Sequence, residues 1–212
     1  MAAAISFQAA VFLPSAAGAA DLDILGFRLG MGMEEGQIDS IYETQLKPQI
    51  AESGLMNLPY TVIHTRLKDG TLLYLHFAPP VEGKKLFGVV HIKRYGSDKQ
   101  PSTLALETVL KAMERQLGKP GVSLEPDPAM RVLIYSMAGT PPVDPNLTPD
   151  SVRNITFMDF PGRVRLLGAD FKGAIVLITV DKGKVQSIRQ ELWDHRLATS
   201  VFAVPEAPAA AR

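Results

Sequence analysis

The side chains with catalytic or metal-binding reach in this chain are four histidines, His64, His76, His91 and His195, in a sequence without cysteine. Neither a disulfide framework nor a thiolate metal centre can form, so a metal would need imidazoles and carboxylates. Zinc requires ligand atoms about 2.0–2.1 Å away. Strand histidines meet that demand only if the register gathers them on one face. With Asp69-Gly70 read as a two-residue turn, Lys68 pairs with Thr71, His64 faces Leu75 and His76 faces Ile63. The two rings then point to opposite faces. His91 shares a face with His76, but with Phe77 opposite Leu86 it lies near Leu72, roughly 13 Å away along the strand. No pair converges and no metal is expected. A longer turn is the one register change that would bring His64 and His76 together.

Trp193-Asp194-His195 sets an acid and a base beside an aromatic. Adjacent residues seldom face one another, and a triad needs a nucleophile placed by the fold. Ser102, Ser123, Ser136 and Ser151 all lie outside any G-x-S-x-G elbow. The spacing predicts instead a strand end passing into a helix, with Asp194 as N-cap and Trp193 on the core. Gly26, Gly30 and Gly32 match neither G-x-x-x-x-G-K-[ST] nor G-x-G-x-x-G. They are expected to turn a short strand into the first helix, with Met31 and Met33 filling the core there.

The elements that must position these residues follow from periodicity. Ile38, Ile41, Tyr42 and Leu46 form a helical stripe within Met33 to Lys47, which Pro48 ends or kinks. Strands are expected at Tyr60 to Leu67, Thr71 to Phe77 and Leu86 to Tyr95. A second helix, Ser102 to Leu117, carries Leu106, Val109, Leu110, Met113 and Leu117 on one stripe, with Ser102 or Thr103 as N-cap and Gly118 as C-cap. A strand at Arg131 to Met137, a proline-rich loop from Ala138 to Asp150 and a weaker extended stretch at Asn154 to Phe160 come next. The hairpin Ala174 to Val180 and Val185 to Leu192 turns at Asp181-Lys-Gly-Lys184, and a short helix at Asp194 to Val201 closes the fold. The two halves, 21–118 and 119–204, share a plan of one helix and three strands. A tandem duplication fits that order.

Residues 1–20 carry no charge and run from a short apolar stretch into Ala16-Ala-Gly-Ala-Ala20, the pattern of a cleaved signal peptide, although its usual basic start is missing. The expectation is a periplasmic or secreted protein, with a cytoplasmic one as the alternative. The 22 basic residues balance 22 acidic ones, which leaves no electrostatic footprint for nucleic acid. No apolar run after the leader reaches the roughly 20 residues a transmembrane helix needs, and without cysteine no lipid anchor is expected. The tail, 205–212, has nothing to bury and is expected to be disordered.

The segment Leu25-Gly-Phe-Arg-Leu-Gly-Met-Gly-Met-Glu-Glu35 resembles the start of the first helix in many small exported proteobacterial proteins. Met113-Glu-Arg-Gln-Leu-Gly-Lys-Pro120, followed by Asp181-Lys-Gly-Lys-Val185, is similar to the helix, L-G-x-P, strand, D-x-G-x-V order of the BamE (SmpA/OmlA) family. That fold in turn resembles the tandem-repeat β-lactamase inhibitor protein. The resemblance implies an α+β fold with helices packed on one face of an antiparallel sheet, and protein binding without catalysis. The lipidated cysteine of BamE is absent here. The expected function is a non-catalytic binding module of the bacterial envelope, without a cofactor, for an envelope protein or a small-molecule ligand. Its binding candidates are Tyr74, His76, Phe87 and His91 on a concave sheet face. The alternative is a small periplasmic hydrolase using His195 or His76 with a nearby carboxylate.

Overall fold

The computed structural model describes residues 22–33, 36–57, 60–79, 83–96, 100–155 and 160–202. The expected leader and tail lie outside them. A short hairpin of β1 (Asp23–Ile24) and β2 (Phe27–Arg28) precedes α1 (Gln37–Ile41), which continues through a wide π turn at Tyr42–Leu46 and a tight 3₁₀ turn at Lys47–Gln49. Pro48 sits in that last turn, where the helix changes pitch and gives way to strand. A meander follows: β3 (Ile50–Asn57), β4 (Thr61–Leu67), β5 (Leu72–Phe77) and β6 (Leu86–Arg94). The second half opens with α2 (Leu106–Leu117) and continues with β7 (Val122–Asp127), β8 (Met130–Ser136), β9 (Lys172–Asp181) and β10 (Lys184–Asp194). Two short helices, α3 (Pro149–Val152) and α4 (Phe160–Leu167), lie between β8 and β9, and α5 (His195–Phe202) follows β10. None of the described helices is long and apolar enough to cross a membrane.

One antiparallel sheet of eight strands results, ordered β3-β4-β5-β6-β10-β9-β8-β7. Each half holds four strands where three were expected. The missed strands, β3 and β7, are the two edges. β3 is largely exposed, so burial imprints no pattern on it. β7 even accommodates Pro126, which an interior strand would exclude. The helix α2 begins later than expected, with Ala105 at the N-cap and no side chain accepting from its first turn, while Gly118 closes it at φ 78°. Side chains alternate across the sheet and build two cores. Leu73, Leu75, Val89, Val176, Ile178 and Leu192 face α1 and α2. Phe87, Val90, Ile134, Ile175, Leu177 and Trp193 face the opposite way, with Val152 of α3, Leu167 of α4 and Ala198 of α5. Helices therefore accompany both faces.

The halves meet at β6 and β10, whose ladder runs from Gly88↔Trp193 to Arg94↔Ser187 and centres on His91↔Gln190. His91 and Gln190 lie 99 positions apart, and the same offset carries the Arg94↔Ser187 pair onto Trp193↔Gly88. The ladder therefore maps onto itself. The offset extends to details. A bulge falls at Phe87 in one half and at Gln186 in the other. Leu86 N donates to Met31 O, and Val185 N to Leu104 O, both at 2.8 Å; Met33 N then donates to Lys84 O and Leu106 N to Gly183 O. The segment leading into each helix thus makes the same two bonds to its own last hairpin.

The halves differ in one large feature. β4 and β5 are joined by the tight turn at 68–71, whereas 137–171 intervenes between β8 and β9. That insertion supplies α4.

Candidate functional site

A cavity of 370 Å³ opens where α4 overhangs the seam between the halves. Tyr60, Tyr74 and His76 line it from the first half, with Phe87, Val90 and Ile92 of β6. Arg189 and Trp193 of β10 and Phe160 and Arg163 of α4 complete the wall. Phe160, Arg163 and Leu167 share one helix face by their spacing, and that face turns to the sheet. The end of α4 is pinned by His195, whose ring lies against Phe160 and Phe171 with centroids 5.2 and 5.1 Å away. Its Nδ1–H donates to Gly168 O at 2.7 Å. Burial lowers the His195 pKa, and the ring is fully enclosed.

At the floor lies Glu191, 1% exposed. Arg163 Nη1 donates to its Oε2 in a short contact, Arg189 Nε donates to Oε1 at 2.5 Å and Trp193 Nε1 to Oε2 at 2.6 Å. Burial alone would raise the Glu191 carboxyl; the charges of Arg163 and Arg189, with the bonds from Arg163 and Trp193, outweigh it and hold the group below its ordinary value. The Arg163 guanidinium also lies over the Trp193 ring, 5.2 Å from its centroid. Gly88 sits opposite Trp193 and leaves room for the indole: a Cβ there would stand 2.3 Å from Trp193 Cζ3. Trp193 can therefore reach across β6 to His76, with ring centroids 5.0 Å apart. Tyr60 and Phe87 extend the aromatic cluster at 5.3 Å. The His76 imidazole is pushed down to about 4 by burial, with Arg163 and Arg189 adding to the fall and Glu191 opposing it. Its Nδ1 is buried without a hydrogen-bond partner.

Of the four expected binding residues, Tyr74, His76 and Phe87 meet at this cavity and His91 does not. The bulge at Phe87 is the cause. It pairs Phe77 with Leu86 but His76 with Gly88, so every later residue of β6 changes face and His91 pairs with Leu73. His91 is buried among the residues facing α1 and α2, where its Nδ1–H donates to Gln190 Oε1 at 3.2 Å. Burial pushes it down to about 4.

The turn after β4 is also longer than expected, with Leu67 N bonded to Thr71 O. His64 therefore pairs with Tyr74 and His76 with Val62, which sets the two histidines on one face, diagonally related. Their rings part company nonetheless. His64 leans over Gly54 on the edge strand, where a Cβ would stand 2.3 Å from its Nε2, while His76 leans onto Trp193. Among the described residues no group of three or more His, Asp and Glu side chains is placed to hold a metal.

Asp194 accepts from Leu197 N at 3.2 Å as the N-cap of α5 and pairs with Lys172 at 3.3 Å. The proline-rich loop contributes Pro142, Val143 and Pro145 to a second cavity of 390 Å³, beside Leu22, Leu117 and Tyr135. Its size matches the first, but among the described residues Lys119 is the one charged side chain in its wall. Chemistry, not volume, distinguishes the two.

The charged half of the aromatic cavity, Arg163, Arg189 and Glu191, is absent from the sequence-based expectation. A signal existed for two of the three. In Arg189-Gln-Glu-Leu-Trp193 the strand period puts two opposite charges and the sole tryptophan on one face, between the apolar Ile188 and Leu192 of the other. Arg163 carried none, because α4 was not expected. Compared with protein-family models, with curated proteins and with solved structures, the chain matches none of them.

Proposed function

We propose that this chain is a non-catalytic ligand-binding module of the bacterial envelope, and that the cavity beneath α4 is its binding site. The observation that carries this reading is a preformed 370 Å³ space walled by aromatic rings from both halves, with Arg163 and Arg189 set among them. Ligand pockets have this composition: a mostly apolar surface that supplies affinity and a few placed polar groups that supply orientation. The charge-free leader of residues 1–20 supports an exported location. The hydrolase alternative finds less support. His76 makes no hydrogen bond to a carboxylate, Glu191 is committed to two arginines and an indole, and the hydroxyls in the wall are the phenols of Tyr60 and Tyr74. The offset of 99 residues supports reading the halves as copies of one helix-plus-meander unit.

The test uses the single tryptophan. Its indole N–H gives one signal in a ¹H–¹⁵N spectrum, and Trp193 lines the cavity. Titration with 2-naphthoate and with its neutral analogue 2-naphthamide is expected to move that signal saturably for at least one of them. If neither moves it at millimolar probe concentration, the cavity is not a ligand site for planar molecules and the proposal falls.

A further inference from the structure

Beyond the existence of a site, and resting on that reading of the cavity, the hydrogen-bonding sense of its wall specifies a class of ligand. We infer that the cavity takes a planar aromatic molecule carrying a hydrogen-bond acceptor, and that His76 selects it by donating from Nε2–H.

The inference begins with the ring itself. His76 is half-buried in the cavity wall, 5.0 Å from Trp193 and 5.9 Å from both Tyr60 and Phe87 between ring centroids. Three aromatic neighbours hold the imidazole in place. Its Nδ1 is sealed without a hydrogen-bond partner. The ring therefore meets the cavity through its other atoms, and Nε2 is the polar one among them. No described residue bonds to Nε2.

The enclosure also decides which nitrogen carries the proton. Burial keeps the imidazole neutral at pH 7, so one nitrogen is a donor and the other an acceptor. A proton on Nδ1 would be a donor shut away from every acceptor. A lone pair there is the milder cost, as it is for the backbone, where an orphaned buried N–H is rarer than an orphaned carbonyl. The proton therefore sits on Nε2, where the cavity gives it access to a ligand.

The other polar groups of the site have the same sense. The guanidinium of Arg189 in the wall offers N–H donors and no acceptor. Glu191 at the floor could accept, but its two oxygens already receive bonds from Arg163, Arg189 and Trp193, which also engages the indole N–H. The phenols of Tyr60 and Tyr74 donate or accept and leave the balance unchanged. A ligand N–H placed at His76 would face another N–H; a ring nitrogen or a carbonyl oxygen would receive its proton. Trp193 and Phe87 surround this donor with ring surface, their centroids 6.1 Å apart, so the acceptor must belong to a flat body that can stack.

The experiment has two parts, both on the full chain at pH 7.5. Long-range ¹H–¹⁵N spectra of the ligand-free protein read which nitrogen of His76 is protonated. Nε2 is expected, and a proton on Nδ1 overturns the inference. The Trp193 indole signal is then titrated with two flat two-ring probes of similar size, quinoline with one acceptor and indole with one donor. Quinoline is expected to bind about tenfold more tightly, the range of one hydrogen bond gained against one donor left unmatched. In His76→Phe the preference falls to about twofold or less while indole binding is retained, which shows that the aromatic cavity is intact. Equal affinity for the two probes in the unaltered protein, or a quinoline preference unchanged in the variant, overturns this inference and leaves the cavity standing as a ligand site. If neither these probes nor the naphthalene pair moves the Trp193 signal, the ligand-site reading itself falls.

Discussion

Acidification from pH 8 to pH 5.5 should weaken the fold by about 3 kcal/mol, and two histidines on opposite faces of the sheet should account for it. His76 and His91 are each lowered from 6.5 to about 4 by burial. A histidine with a depressed native pKa binds fewer protons in the folded chain than in the unfolded one. Stability is then complete above the unfolded value and is lost as pH falls through the window from 6.5 towards 4. At pH 5.5 the unfolded imidazoles are largely protonated while the native ones are still neutral. One pH unit below the unfolded value at about 1.36 kcal/mol per unit gives between 1 and 2 kcal/mol for each residue. His195 is lowered in the same direction and adds to the loss. Glu191, Asp69 and Glu107, whose values are lowered below those of the free carboxyl groups, release their contributions at more acid pH, which is why pH 5.5 isolates the histidines. The assay is guanidinium chloride unfolding at pH 8.0 and 5.5 followed by Trp193 fluorescence and far-UV circular dichroism. Ring ¹H–¹³C spectra of the native protein then assign the histidines. A stability change under about 0.5 kcal/mol, or native His76 and His91 titrating near 6.5, would refute the reasoning, since both follow from burial of neutral rings.

The remaining predictions concern the wall of the cavity. Glu191→Gln removes a buried carboxylate that both Arg163 and Arg189 bond to and should cost about 3–5 kcal/mol, read as a lower guanidinium midpoint at unchanged slope. A loss below about 1 kcal/mol would mean that the pair is solvated and the wall is not dry. Gly88→Ala places a methyl group 2.3 Å from Trp193 Cζ3, so the indole must tilt out of the cavity floor. We expect a stability cost of about 1–3 kcal/mol and a shifted Trp193 indole signal without any probe. An unmoved signal would show that the indole does not lie across Gly88.

What was legible in the sequence divides by the kind of information each element needs. The stripe Leu106, Val109, Leu110, Met113 and Leu117 gives α2 directly, because a half-buried helix must carry its apolar face at helical spacing. The strands β4, β5, β6, β9 and β10 are legible for the matching reason, since each carries buried apolar residues along its length. The edges β3 and β7 are not. Ile50-Ala-Glu-Ser-Gly-Leu-Met-Asn57 is largely exposed, with Leu55 and Met56 at the surface, so no burial pattern marks it. The placement of the site failed at a finer level. A single extra residue at Phe87 moved His91 to the far face, and a turn longer than expected moved His64 to the near one. Register is set by backbone hydrogen bonds that leave almost no trace in side-chain type. The roof was harder still. In α4, Phe160-Pro-Gly-Arg-Val-Arg-Leu-Leu167, Pro161 and Gly162 weaken the helical pattern, and a buried arginine reads from sequence as a surface residue.

The same comparison shows why a site stands where it does. Each half makes the same pair of backbone bonds on the way into its helix, carries a bulge at the same position of its last hairpin and has a strand that meets its counterpart. A strictly symmetric molecule would present equal sheet faces on either side of the His91↔Gln190 centre. The insertion at 137–171 breaks that equality. It covers the second half with α3 and α4 and ends the cover over the seam, so α4 meets bare sheet from the first half. The first half then supplies apolar wall, Tyr60, Tyr74, His76 and Phe87, and the second supplies the charges, Arg163, Arg189 and Glu191. Phe160 and Trp193 of the second half complete the aromatic wall, so the charges come from one half and the rings from both. The bulge at Phe87 shapes the cavity, because it places Phe87 and Gly88 on the same face: one fills the aromatic wall and the other admits the indole of Trp193. In the second half the equivalent bulge, at Gln186, lies away from the cavity wall. One insertion is thus enough to turn a symmetric seam into an asymmetric pocket.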